Sequence, residues 1–197
     1  MSRPVEFDRD TARDRALKLF WSRGYQGAGL TDLLGRMEIG RSSFYAAFGD
    51  KRRLFIECLD QFAARTISTL APKAPGRSAM DTLRGFFEQE SLARSSEERG
   101  WGCLLVNSVV ELADLDEGLR AHAGRRLMDV QSAFETLLSQ AGFCPAQARD
   151  YAAFLMVVNQ GLRVSSRQGL ATTDQQKQIS VTFDMLQSAL NSALKEA

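Results

Sequence analysis

The stretch Leu30 to Phe55, LTDLLGRMEIGRSSFYAAFGDKRRLF, constrains this chain more than any other. Its periodicity divides into two short helices with a tight turn between them. Leu30, Leu33, Leu34 and Met37, spaced three and four apart, make one apolar face. Glu38-Ile39-Gly40 interrupts that pattern. A second segment, Arg41 to Phe48, places Phe44 and Phe48 four apart on an inner face. Arg41, Ser42, Ser43, Tyr45, Ala46 and Ala47 are left on the outer side. Two helices joined by so short a turn, the second with a small and polar outer face, describe a helix-turn-helix. In that motif the second helix enters the major groove of DNA.

Close approach explains the composition. A helix that reads base edges must present small residues and a few hydrogen-bonding groups. Ser42, Ser43, Ala46 and Ala47 supply the smallness, and Arg41 and Tyr45 supply reach. The next helix opens at Asp50-Lys51-Arg52-Arg53. Lys51 lies in its first turn, where free amides and the positive dipole end also favour phosphate. Arg41 is therefore expected to read bases, and Ser42 and Ser43 to touch bases or backbone. Tyr45, Lys51 and Thr31 are expected at phosphates.

These residues, together with FDRDTARDRALKLFWSRGY ahead of them, resemble the N-terminal DNA-binding domain of the TetR family of transcriptional regulators, without a gap over residues 7 to 55. The resemblance implies an all-α homodimer: an N-terminal three-helix domain with the helix-turn-helix, and a C-terminal helical domain for ligand binding and dimerisation. It implies a palindromic double-stranded DNA operator, released when a small effector enters the second domain, and thus a repressor. The boundary is read at 49/50, giving domains 1–49 and 50–197. Three positions depart from the family pattern. Gly29 and Gly40 stand where Ser or Thr usually caps each helix, and Gly is the weaker cap. Glu38 stands where the turn usually has Gly, so a left-handed backbone there is strained.

At 197 residues the chain has ample core for one large domain or two small ones. Its net charge of +1 argues against a general polyanion binder, but the distribution is uneven. Residues 1–53 carry 11 Lys/Arg against 7 Asp/Glu, and residues 54–197 carry 14 against 17. The basic excess falls on the helix-turn-helix. No apolar run approaches membrane-spanning length and MSRPVEFDRD lacks a signal-peptide core, so a cytoplasmic protein without a membrane partner is expected. Cys58, Cys103 and Cys144 are far apart and His122 is the single histidine, so no metal or other cofactor is expected. With no acid–base pair, nucleophile set or phosphate loop, the chain is not expected to be an enzyme.

Asp8 is placed as the cap of a first helix whose inner face is Ala12, Ala16, Leu19 and Phe20, with Gly24 just past its end. Asp50 to Leu70 reads as one long helix. APKAPG (Ala71 to Gly76) is a break, Ser78 to Ser95 a helix, and SSEERG a polar loop. CLLVNSVVELA (Cys103 to Ala113) reads as a helix buried on nearly all sides, and Glu117 to Gln140 as a long amphipathic one. A further helix starts at Cys144-Pro145 and runs to about Arg167, and the last runs from Thr173 to Lys195, with Leu194 ending its stripe. The last two carry broad apolar stripes beside small residues, either for packing within the chain or for a four-helix dimer interface. A homodimer through them is expected, since one short recognition helix reads only a few base pairs.

Trp101 to Leu112, WGCLLVNSVVEL, is similar to the corresponding segment of TetR regulators that sense electrophiles or oxidants through a cysteine. Cys103 is placed in the first turn of a buried helix with Arg99 four residues earlier, both favouring thiolate. The plainer reading is a small buried hydrophobe. Asn107, one turn on, needs a partner in so apolar a helix. Trp101, Phe86, Phe87, Met128, Phe134 and Tyr151 are candidates for a pocket wall. His122 is expected to be an exposed bystander. A second class of function stays open: a helical small-molecule-binding or scaffold protein that no longer binds DNA.

Overall fold

The computed structural model describes residues 7–71 and 76–196, with side chains through Asn191 and Ser192. The ends, Met1–Glu6 and Ala197, residues 72–75 of the expected break, and the side chains of Ala193, Leu194, Lys195 and Glu196 lie outside that description. In chain order the helices are α1 (Arg9–Gly27), α2 (Leu30–Met37), α3 (Arg41–Phe48), α4 (Lys51–Ser68), α5 (Ala79–Ser91), α6 (Ser96–Trp101), α7 (Leu104–Glu111), α8 (Glu117–Ala141), α9 (Pro145–Arg167) and α10 (Thr172–Glu196). No strand occurs among the described residues, and none of their helices is long and apolar enough to cross a membrane. The all-α expectation is met.

Two compact units divide the chain: Met1–Ala64 with Leu104–Arg126, and Arg65–Cys103 with Leu127–Ala197. Compactness therefore cuts at places other than residue 49. The first part of α4 belongs with the first unit because Leu54, Phe55, Cys58 and Leu59 are fully buried there. Phe55 meets Phe20 edge-on at 4.8 Å between centroids, and Phe62 meets Trp21 in the same way at 5.1 Å.

Within the first unit, Asp8 caps α1 as expected, its carboxylate accepting from Thr11 N at 2.9 Å. Ala12, Ala16, Leu19 and Phe20 are buried, and Leu17 and Trp21 join them. Gly24 breaks the helix at φ 77°, ψ 177°, and one further turn follows as far as Gly27. A new turn begins with amides that have no helical acceptor. Here Glu111 supplies the acceptors: Tyr25 N donates to its Oε2 at 3.0 Å and Gln26 N to its Oε1 at 2.8 Å. The link joins the end of α7 to the corner leading into α2.

The α2–α3 turn has the strain that its sequence implied. Glu38 is the one non-glycine residue with positive φ among the described residues, at φ 58° and ψ 39°. Its carboxylate lies 2.6 Å from the Arg15 guanidinium on α1. Gly29 and Gly40 make no side-chain cap bond.

The second unit is built around Phe86, Phe87, Phe134 and Phe183. Phe86 and Phe134 meet edge-on at 5.3 Å, and Phe87 and Phe183 at 5.5 Å. Leu83, Leu155, Ile179 and Leu186 close the same core. Ser78 begins α5 by accepting from Asp81 N at 3.0 Å, and Pro145 takes the first position of α9.

Several expectations are corrected. The SSEERG segment is not a loop but most of α6, started by Ser95, whose hydroxyl accepts from Glu98 N at 3.2 Å. Gly102, at φ 73°, then ends the helix, so Cys103 precedes α7 instead of lying in its first turn. That helix is short, and Val110 is 72% exposed, so it is not buried on nearly all sides. Met128 is 67% exposed. Phe86, Phe87 and Phe134 are core, as aromatics at helical spacing usually are.

Replacing Glu38 by Gly should release about 1 kcal/mol of backbone strain, less whatever an exposed ion pair contributes. A thermal melt of Glu38→Gly is expected to shift upward by roughly 2–4 °C.

Candidate nucleic-acid interface

Helix α3 is positioned from behind. Phe44 N donates to Gly40 O at 2.9 Å to open α3, and Gly49 N donates to Tyr45 O at 3.0 Å to close it. Phe44 and Phe48 are buried at 0% and 1% exposure, their rings 6.0 Å apart. The Arg9 guanidinium lies 4.6 Å over Phe48, donates to Ala47 O at 3.2 Å, and grips both oxygens of Glu57 on α4 at 2.7 and 2.8 Å. One arginine thus fixes the C-terminal end of α3 by a cation–π contact, a carbonyl and an ion pair.

The outer face stands open within its unit. Arg41, Ser42 and Ala46 are exposed, Ser43 and Ala47 half-buried, and Tyr45 keeps 47% of its surface. No described residue bonds to the guanidinium of Arg41. Thr31, on α2, is exposed too.

Lys51 begins α4, whose first turn is capped by Asp50 accepting from Arg53 N at 2.8 Å. Its ammonium lies 4.5 Å over the Tyr25 ring. Burial pulls this lysine below its ordinary range, while the nearby Glu111 carboxylate acts in the opposite sense. The Tyr25 phenol is held above its ordinary range, first by burial and then by Asp116, so it is neutral at physiological pH. Asp116 also accepts from Arg52 Nε at 3.2 Å, and the bond holds its carboxyl below the usual range.

The four residues read as possible sensors fall in different units. Cys103, Trp101 and Phe86 lie in the second, and Asn107 lies in the first. Cys103 is 7% exposed, Trp101 and Asn107 are half-buried, and Phe86 belongs to the core. Arg99 is engaged by backbone: its Nη1 donates to Leu92 O and Arg94 O, each at 3.2 Å. His122 is no bystander, since its Nε2 lies 2.7 Å from Asp60 Oδ1 and its side chain is mostly buried.

Sequence reading missed a polar centre inside the second unit. Glu90, 5% exposed, lies between Arg94 and Arg163, and Arg163 also donates to Glu90 O at 2.8 Å. Burial, and then Arg163, push the Arg94 guanidinium below its ordinary range. The available signal was Asn159 and Arg163, four apart on a stripe with Leu155 and Leu162. Arg9, Glu57 and Glu111 were missed as well; each acts on a partner at least 38 residues away.

Known proteins share this sequence and architecture. Residues 13–58 match the family described as bacterial regulatory proteins, tetR family. Over 181 residues the chain is 30% identical to the HTH-type transcriptional repressor ComR of Escherichia coli (strain K12), covering 85% of this chain and 83% of ComR. It is 31% identical over 136 residues to the uncharacterized HTH-type transcriptional regulator YezE of Bacillus subtilis (strain 168), covering 68% and 70%. The TetR family transcriptional regulator CifR has been solved as a cysteine mutant complexed with 26-base-pair operator DNA. It superposes with a TM-score of 0.68 at 28% identity, over 96% of this chain and 98% of that one.

Proposed function

Since the chain belongs to the TetR family of DNA-binding transcriptional regulators, we propose that it is a repressor released from its operator by a small effector. The carrying observation is α3 itself: two phenylalanines buried behind it and a small, polar, open face in front. Arg41 reads bases at the helix start, Ser42 and Ser43 touch bases or backbone, and Tyr45, Lys51 and Thr31 hold phosphates. ComR, a repressor by name, supports the direction of control. The operator complex of CifR supports a duplex as partner.

The same reading makes the protein a homodimer through α9 and α10. Phe154, Val157 and Val164 on α9, with Val181 and Met185 on α10, leave large apolar side chains 41–68% exposed. Gly161 lies among them in a shallow groove with Val158 and Leu162. Apolar surface of this extent on long helices suits a four-helix interface between copies. Two heads roughly 34–36 Å apart then address successive major-groove faces of a palindrome.

Release by modification of Cys103 is the second part of the proposal. Its support is position: a mostly buried thiol at the break between α6 and α7, in the unit that carries Arg94 and Arg163.

Three measurements test these assignments. Arg41→Ala should lose about 1–3 kcal/mol of operator affinity and relax sequence preference, while Lys51→Ala should weaken all duplexes alike and lower the salt slope by about 1. Val157→Glu with Val181→Glu should give a monomer by sedimentation, because a charge placed in an apolar interface is left unpaired. In a Cys144→Ser background, N-ethylmaleimide should release operator from the parent but not from Cys103→Ser; equal release removes Cys103 from the mechanism.

A further inference from the structure

The corner between α1 and α2 is held by a residue far away in sequence. At Gly24 the helix breaks with positive φ, and a methyl group there would stand 2.5 Å from Glu111 Oε2. The backbone and the carboxylate are therefore in close contact, not merely near one another. Each Glu111 oxygen takes one amide, Tyr25 N at 3.0 Å and Gln26 N at 2.8 Å. These are charge-assisted bonds to the start of a helical turn, the place where a carboxylate is most favoured.

Tyr25 carries the contact onward. Its ring lies 4.8 Å from Phe55 and 6.3 Å from Phe20, both core rings of the helix-turn-helix unit. The ammonium of Lys51 sits over its outer face at 4.5 Å. Five residues beyond Glu111, Asp116 takes Arg52 Nε at 3.2 Å and caps α8 by accepting from Leu119 N at 2.9 Å. The end of α7 and the turn that follows it thus grip two places: the entry to α2 and the entry to α4. The recognition helix α3 lies between those two entries in the chain.

We propose that Glu111 is a positioning residue for DNA binding: its carboxylate, clasping the Tyr25 and Gln26 amides, sets α2 and the start of α4 so that α3 and Lys51 address one groove together. The inference rests on the DNA-binding reading above. Glu111 itself touches no nucleic acid and, being anionic, would oppose a phosphate. Its effect is therefore expected in specific binding, where base contacts need registry, more than in non-specific attraction to phosphates, which does not.

The test uses the full-length protein and a duplex enriched by the wild-type chain from a random pool, with a scrambled duplex of equal length beside it. Fluorescence anisotropy would compare wild type, Glu111→Ala and Glu111→Gln, with thermal melts and sedimentation run in parallel. Glu111→Ala is expected to lose about tenfold in affinity for the enriched duplex and much less for the scrambled one. Glu111→Gln, which keeps one acceptor, should recover part of the loss. A simple loss of folded protein lowers both affinities in proportion, so an unchanged ratio between duplexes overturns the inference, as does wild-type affinity in Glu111→Ala. If Glu111→Ala does not fold, the ratio measured for Glu111→Gln decides in the same way. A wild-type chain that enriches no duplex overturns the DNA-binding reading beneath it.

Discussion

The burial of Phe44 and Phe48 is the interaction on which the DNA-facing geometry depends. An eight-residue helix such as α3 has no independent stability in water. Two rings sealed against the rest of the head supply what the backbone cannot, and they fix its rotation about its own axis. Once both point inward, the serines, the alanines and Tyr45 have only the outside left. Packing and recognition are thus a single decision, made twice in eight residues. Arg9 completes it by tying the helix end to Glu57, so α3 is held along its length as well as about its axis.

Periodicity made much of this legible beforehand. The limits of α2 and α3, the Asp8 cap, the Pro145 start and the left-handed strain at Glu38 follow from local rules about spacing, caps and turns. What stayed hidden was of two kinds. A helix as short as α6 has too few turns to show a face, and its signals, Ser95 at the start and Gly102 at the end, look like those of a loop. Contacts between distant side chains left no trace either. Glu111 reaches a corner 85 and 86 residues away, and His122 meets Asp60 across 62, separations no pattern in a single chain can register. Large apolar residues misled in a third way: Phe86 and Met128 look equally fit to line a pocket, yet one is sealed in the core and the other faces solvent.

The interior of the second unit shows where apolar patterning is deliberately broken. Glu90 shared by Arg94 and Arg163 places three ionisable groups in a unit that buries few other polar side chains, among them Ser91, Asn159 and Gln175. Such a trio costs desolvation that its mutual attraction barely offsets, so its contribution to net stability is small. Its geometric demand is strict, because a slip of α5 against α9 would strand a charge.

Of the three cysteines, Cys58 and Cys103 are enclosed, while Cys144 is open to solvent at the start of α9. In air-exposed buffer that thiol would join two molecules by a covalent bridge with no relation to the faces of α9 and α10. Such a species would vanish on adding reductant, whereas one built from packed helices would persist. The accessible sulfur also offers a single attachment point for a dye, reached without opening either interior.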